Sequence, residues 1–250
     1  MRLLFIVALA VSIGSFLIGS NAASEPAPLQ VSRPLSQSDL FSLGASQTVM
    51  MLNPDNEDSG GTGFAVRAAS GKLYTVTNAH VCRITDKSFL IASRGSVRLR
   101  LQIIEIMEEA DLCVLQGIPF MKGLEVAEGL GLFEGVYVVG HPRLQPINMT
   151  AGWVRTRVYV PIAYCNKAGG AKVQVLPDQR KSARSIFDLD ESCIKDMDSI
   201  MTNNDSQPGN SGSAVLNDKG QVVGVLFAGD SAGTSLIVPL NYLHSLLSTY

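Results

Sequence analysis

From residue 47 onward the chain is a succession of short apolar runs, each closed by glycine or another turn-forming residue. Such runs read as β-strands, because a pleated, half-buried segment ends where the backbone must turn. They fall at residues 47–52, 63–67, 73–77, 89–92, 97–106, 111–115, 135–140, 153–160, 213–216, 222–227 and 234–238, while residues 199–202 lead into the Gly/Ser loop at 207–213. The second and third flank Ala69-Ser70-Gly71 and form a hairpin. Residues 166–195 are richer in charge and read as a long hairpin or loop. Glycines 123, 129, 131 and 135 mark a connection near 125–135 that divides the chain in two. One helix is expected, capped by Asn241 and running to Thr249, with Leu243, Leu246 and Leu247 on one face. Many strands with a single terminal helix imply an all-β barrel or sandwich.

The first residues, Met1-Arg2-Leu3-Leu4-Phe5, open an apolar run to about Gly19, followed by Ser20-Asn21-Ala22-Ala23. One positive charge, a short apolar stretch and small residues describe an export signal cleaved after Ala22 or Ala23. The alternative is an uncleaved membrane anchor, although the run falls short of the roughly 20 residues a spanning helix needs. Either way the remainder is expected to be secreted or periplasmic, with no membrane span in the mature chain. Residues 24–38 are polar and contain proline, and read as a loose leader. The expected organisation is signal peptide 1–22, leader 23–46, first barrel 47–130 and second barrel 131–250. With 20 basic and 22 acidic residues, the chain offers no basic stripe for nucleic acid. Four cysteines, Cys82, Cys113, Cys165 and Cys193, favour two disulfides in an exported chain, and three pairings are open. No C-x-x-C pair is present. The added three histidines do not make the compact ligand set that zinc requires, so a metal site is not expected.

The stretch Gln207-Pro208-Gly209-Asn210-Ser211-Gly212-Ser213 sets a serine between glycines ahead of the apolar Ala214-Val215-Leu216. A tight loop of this kind holds a hydroxyl outward and aims backbone N–H groups at one point, as acyl transfer requires. A plain Gly/Ser surface loop has the same composition. A serine hydroxyl needs a base, and the base needs an orienting group. Of His80, His141 and His244, His80 stands out at the end of an apolar hairpin, in Thr77-Asn78-Ala79-His80-Val81. Asp111 begins an apolar strand in Ala110-Asp111-Leu112-Cys113-Val114-Leu115 and is the candidate orienting acid. Its plainer reading is a surface acid at a strand edge.

These three segments, in the order His, Asp, Ser, resemble the catalytic segments of the chymotrypsin-like (trypsin-fold) serine peptidases. Gly61-Thr62-Gly63-Phe64 resembles that family's lead-in strand. The similarity spans roughly residues 47–240. It implies two six-stranded antiparallel β-barrels with the active site between them. It implies that Ser211 attacks a peptide carbonyl, that His80 moves the proton, and that Asp111 orients the imidazole. The N–H groups of Gly209 and Ser211 would form the oxyanion hole, protein or peptide substrates would be the partners, and the resemblance implies no cofactor or metal. Asn210 stands where digestive members carry an acid, and no Arg/Lys-Ile-Val-Gly-Gly segment follows the signal. No zymogen switch of the digestive kind is therefore expected, and the pattern is more like the bacterial branches.

Asp205, six residues before Ser211, matches the spacing of the acid in trypsin-like primary pockets and hints at basic substrates. A turn-forming Asp in Asn203-Asn204-Asp205-Ser206 is the plainer reading, and Asp230 is a second candidate. Cys82 lies two residues past His80 and Cys113 two past Asp111, so a triad would bring them together. Pairings Cys82–Cys113 and Cys165–Cys193 are expected. An esterase using the same triad, or a protease-fold binding protein with little turnover, are the alternative functions.

Overall fold

The computed structural model describes residues 33–163, 194–230 and 232–250. Its strands form two closed six-stranded antiparallel barrels. The first contains β1 (Thr48–Leu52), β2 (Gly60–Arg67), β3 (Leu73–Thr77), β4 (Phe89–Arg94), β5 (Val97–Met107) and β6 (Leu112–Gln116). Its order is β1-β2-β3-β6-β5-β4, closed by β4 against β1. The second contains β7 (Gly135–Gly140), β8 (Asn148–Ala163), β9 (Ile194–Thr202), β10 (Ala214–Leu216), β11 (Val222–Asp230) and β12 (Thr234–Val238). Here the order is β10-β11-β12-β9-β8-β7, closed by β7 against β10. This is the expected all-β, two-barrel fold. Strand β8 is longer than its apolar run suggests, because it pairs with β9 along a long ladder from Val154 to Ala163.

Strand alternation explains how the barrels join. Successive side chains point to opposite faces. In β2, Ala65 packs with Val49, Met51, Leu90, Leu101 and Leu115 inside the first barrel. Its neighbours Phe64 and Val66 instead join a cluster with Val136, Val139, Val215 and Phe227 of the second barrel. Strand β6 divides likewise, with Cys113 and Leu115 in the first cluster and Leu112 and Val114 in the second. Strands buried on both faces read as continuous apolar runs rather than alternating ones.

Among the described residues, two helices of two turns or more frame the barrels. Helix α1 (Gln37–Gln47) falls largely within the stretch read as a leader and was not anticipated. Its only buried residues are Leu40, Gly44 and Gln47, one narrow stripe in a serine-rich segment, so the helical period was faint. Ser36 caps it by accepting from the Asp39 N–H at 3.2 Å. The C-terminal helix, α3 (Leu240–Leu247), buries Leu243, Leu246 and Leu247 as expected. Between β3 and β4 lies one short turn of helix, α2 (Ala79–Cys82).

Cys82 at the end of α2 is bridged to Cys113 of β6, with Cα atoms 6.5 Å apart. The expected Cys165–Cys193 pairing and the signal segment lie outside the described residues. The Cys82–Cys113 bridge closes a loop across a sequence separation of 31. Replacing both cysteines by alanine is expected to lower stability by roughly 2–4 kcal/mol, mainly by releasing the unfolded chain. A urea midpoint unchanged by the double substitution, or by reduction, would contradict this.

Candidate active site

The pairing of β3 with β6 sets Thr77 opposite Cys113. The residues just after β3 therefore lie beside those just before β6. Asp111 is fully buried and occupies the left-handed region at φ 53°. Its Oδ1 accepts the His80 backbone N–H at 3.0 Å, and its Oδ2 lies 2.8 Å from His80 Nδ1. Its carbonyl accepts from the Ala79 N–H at 3.0 Å and from Asn78 Nδ2 at 2.9 Å. A buried carboxylate is costly unless hydrogen-bonded, and these contacts fix both imidazole and backbone around it. Asp111 is thus no surface acid. The His80 side chain is partly exposed, its ring reaching the cleft between the barrels.

Ser211 reaches the same cleft from the second barrel. The cleft has a volume of about 230 Å³, and the loop residues Ser206, Gln207, Pro208 and Asn210 form one wall. Residues Leu226 to Gly229 of β11 form the other. The loop's shape rests on Gly212, at φ +86°, where a Cβ would sit 2.1 Å from the Thr62 carbonyl oxygen. Around Ser211 the carbonyls are drawn outward. The Pro208 carbonyl accepts from the Arg143 N–H at 2.5 Å, that of Asn210 from the Ser213 N–H at 2.9 Å, and that of Ser211 from the Thr62 N–H at 2.8 Å. Among the described residues, no group accepts from the N–H of Gly209 or of Ser211. Two donors free of partners beside a hydroxyl and an imidazole suit stabilisation of an oxyanion.

Other sequence candidates lie elsewhere. Asp205 is exposed and lines a separate, smaller pocket with Asn148 and Thr150, and its carbonyl accepts the Thr150 hydroxyl at 3.0 Å. Asp230 Oδ1 accepts the N–H groups of Ala232 and Thr234 and serves a turn. Neither lines the cleft, so the hint of a basic-residue pocket is not supported. His244 Nε2 lies 2.9 Å from the Ala127 carbonyl oxygen and is structural. Asn204, in one of two glycosylation-type sequons, is buried, with its side-chain amide donating to the Val136 and Thr150 carbonyls. The sequence reading missed Thr62 and Ser206 as parts of the site. Thr62 was visible only as the middle of a Gly-Thr-Gly lead-in, and Ser206 only as a neighbour of Asp205. Among the described residues, no three His, Cys, Asp or Glu side chains gather as a metal site.

His141, on the loop touching Gly209, has its pKa lowered below the usual 6.5, chiefly by burial, with a hydrogen bond to the Gln145 carbonyl acting the other way. The folded chain thus favours neutral imidazole. Its contribution to stability is full above about pH 6.5 and lost as pH falls through the lowered value. Acidification from about pH 7.5 to 5.5 is expected to lower the urea midpoint, and His141→Gln should make that decline shallower. Parallel slopes for the two proteins would refute it.

Comparison with known proteins places this architecture. The chain matches the family model described as a trypsin-like peptidase domain over residues 61–225. No curated protein gave a sequence match. Among solved structures, the chain is similar to the Rv3671c protease in its inactive form, with 20% identity and a TM-score of 0.60 over 84% of this chain and 91% of that one. The active form of the M. tuberculosis Rv3671c protease gives the same identity and TM-score, over 84% and 82%. A serine endoprotease from Yersinia pestis is 15% identical, with a TM-score of 0.60 over 87% of this chain and 67% of that one. At these identities the structures establish shared fold, whereas the family model covers well over half of the 250 residues. The protein belongs to the trypsin-like peptidase domain family.

Proposed function

We propose that this protein is an exported serine endopeptidase working through Ser211, His80 and Asp111. The observation that carries the reading is a histidine held by a buried carboxylate at the mouth of a cleft that Ser211 also lines. In this reading Nδ1–H of His80 donates to Asp111, which leaves Nε2 as the base. As Ser211 Oγ attacks the substrate carbonyl, its proton passes to Nε2. The tetrahedral oxyanion is received by the N–H groups of Gly209 and Ser211. Collapse expels the amine, which takes the proton from Nε2, and leaves an acyl-enzyme. Water then repeats the sequence and releases the acid. Loss of one oxyanion donor in such sites typically costs roughly 3–4 kcal/mol of transition-state stabilisation. Export is supported by the N-terminal charge and apolar run, and by the Cys82–Cys113 bridge, which suits an oxidising compartment.

The substrate would lie along β11. Strand β10 covers β11 only from Val222 to Val225, so Phe227 to Gly229 continue past it beside the cleft. An extended peptide adding a strand there would place its scissile bond at Ser211. The primary pocket is uncharged. Ser206, only 4% exposed, lines it, and a Cβ at Gly229 would fall 1.7 Å from Ser206 Oγ. The hydroxyl therefore closes the space beside the substrate strand, and among the described residues no carboxylate lines it. A small uncharged P1 side chain fits, whereas a lysine or arginine would bury its charge without a partner.

A fluorophosphonate probe is expected to label Ser211 in the wild type and to fail in Ser211→Ala and His80→Ala. Amide peptides should be cleaved as well as esters. Labelling without amide cleavage would favour the esterase, and no labelling would favour a binding protein. Profiling with a peptide library is expected to show cleavage after small uncharged residues, unchanged in Asp205→Asn. Ser206→Asp should shift cleavage toward Lys and Arg. A wild-type preference for basic or large aromatic residues would overturn the pocket assignment while leaving the triad standing.

A further inference from the structure

The N–H of Gly209 has to point into the cleft for the proposed chemistry, yet glycine offers no side chain to hold it there. Its φ of +91° lies in a region where glycine turns freely. The direction of that N–H is therefore decided by what grips the peptides on either side. The peptide before it is gripped at the Pro208 carbonyl by the Arg143 N–H, 2.5 Å away. The peptide after it is gripped at the Gly209 carbonyl by the Thr62 hydroxyl, 2.8 Å away. The same hydroxyl accepts the His141 N–H at 3.0 Å. A closed ring of contacts results, from Thr62 to Gly209, Pro208, Arg143, His141 and back to Thr62.

Thr62 is the one side chain in that ring, and it comes from the first barrel. It is fully buried, and strand alternation places it with Phe64 and Val66 on the face turned to the second barrel. Arg143 and Leu144 lie in the left-handed region at φ 53° and 55°. Residues other than glycine stay there only when surrounding contacts over-determine them. The Thr62 hydroxyl anchors the start of that strained turn at His141.

We propose that Thr62 is a positioning residue for the oxyanion site, holding the Gly209 peptide and the 141–145 turn in one register through its hydroxyl. The inference rests on the peptidase reading above and adds a dependence on the first barrel. Valine at this position keeps the shape but leaves the Gly209 carbonyl and the His141 N–H without their partner.

The test is a graded series at residue 62, assayed on one small-P1 amide peptide and on inhibition by a peptidyl boronic acid of the same sequence. Thr62→Val is expected to lower kcat roughly ten- to hundred-fold with KM within about threefold, since a misplaced donor acts on the transition state. Boronate affinity should fall in parallel with kcat/KM. Thr62→Ser should restore both to within about threefold of wild type, and Thr62→Cys, with its weak donor, should lie between. Thr75→Val removes another buried hydroxyl, one that donates to the Gln116 carbonyl at 3.0 Å, and should lower thermal stability while sparing kcat. Wild-type kcat in Thr62→Val, a loss confined to KM, or a Ser variant as impaired as the Cys variant would overturn the proposal. If Thr62→Val does not fold, the order Thr, Ser, Cys decides the matter. Absence of fluorophosphonate labelling in the wild type would instead bring down the peptidase reading itself, and this proposal with it.

Discussion

The buried carboxylate of Asp111 is the constraint around which the first barrel is arranged. Its two carboxylate oxygens meet the imidazole and the backbone N–H of His80, its carbonyl accepts from Asn78 and Ala79, and its own N–H donates to the Glu108 carbonyl. An ionised carboxylate buried without such partners would be expelled or protonated. Hydrogen bonding thus makes the burial tolerable, and burial makes the hydrogen bonds stiff. The left-handed backbone at Asp111 stores strain that this set of contacts holds in place. The Cys82–Cys113 bridge fastens the same two segments a few residues away.

The second half of the site is built differently. The loop bearing Ser211 has no buried charge to organise it, and depends on backbone carbonyls being taken up one after another. Some partners come from its own barrel, as with Ser213 and Arg143. Others come from β2 across the seam, where Thr62 supplies both its N–H and its hydroxyl. Those polar contacts sit at the edge of an apolar interface in which Phe64, Val66, Leu112 and Val114 meet Val136, Val215 and Phe227. Dispersion and burial hold the barrels together over a broad area, and the few directional bonds set the fine alignment. The cleft therefore inherits its geometry from the docking of two bodies rather than from either alone.

The same contrast separates what was legible in the sequence from what was not. Short apolar runs with glycine turns located most of the strands among the described residues, because strand formation depends on local pattern and on where the chain can bend, whereas β9 had read only as a lead into the Ser211 loop. The leucines of α3 were legible for the same reason. Helix α1 was not, since its buried stripe is Leu40, Gly44 and Gln47, and neither glycine nor glutamine announces burial. Its place is set by partners far along the chain. A Cβ at Gly44 would crowd Val139, and Gln47 Oε1 accepts the N–H groups of Lys122 and Gly123.

Residue types, together with the resemblance of their segments to a family, nominated His80, Asp111 and Ser211, and the fold brings Asp111 against His80 and sets His80 and Ser211 in one cleft. The cysteine pair beside two of them followed from that set. Whether an acid lines the cleft was beyond the sequence. Spacing offered Asp205 beside its plainer reading as a turn residue, and the structure sets it in a neighbouring pocket while Ser206 lines the cleft. Thr62 was equally hidden, since its role requires a carbonyl 147 residues away. Local pattern determines the strands and the reactive groups they carry. The direction in which a side chain or carbonyl points is decided only when the barrels close and dock, because that is when distant hydrogen-bonding groups become neighbours.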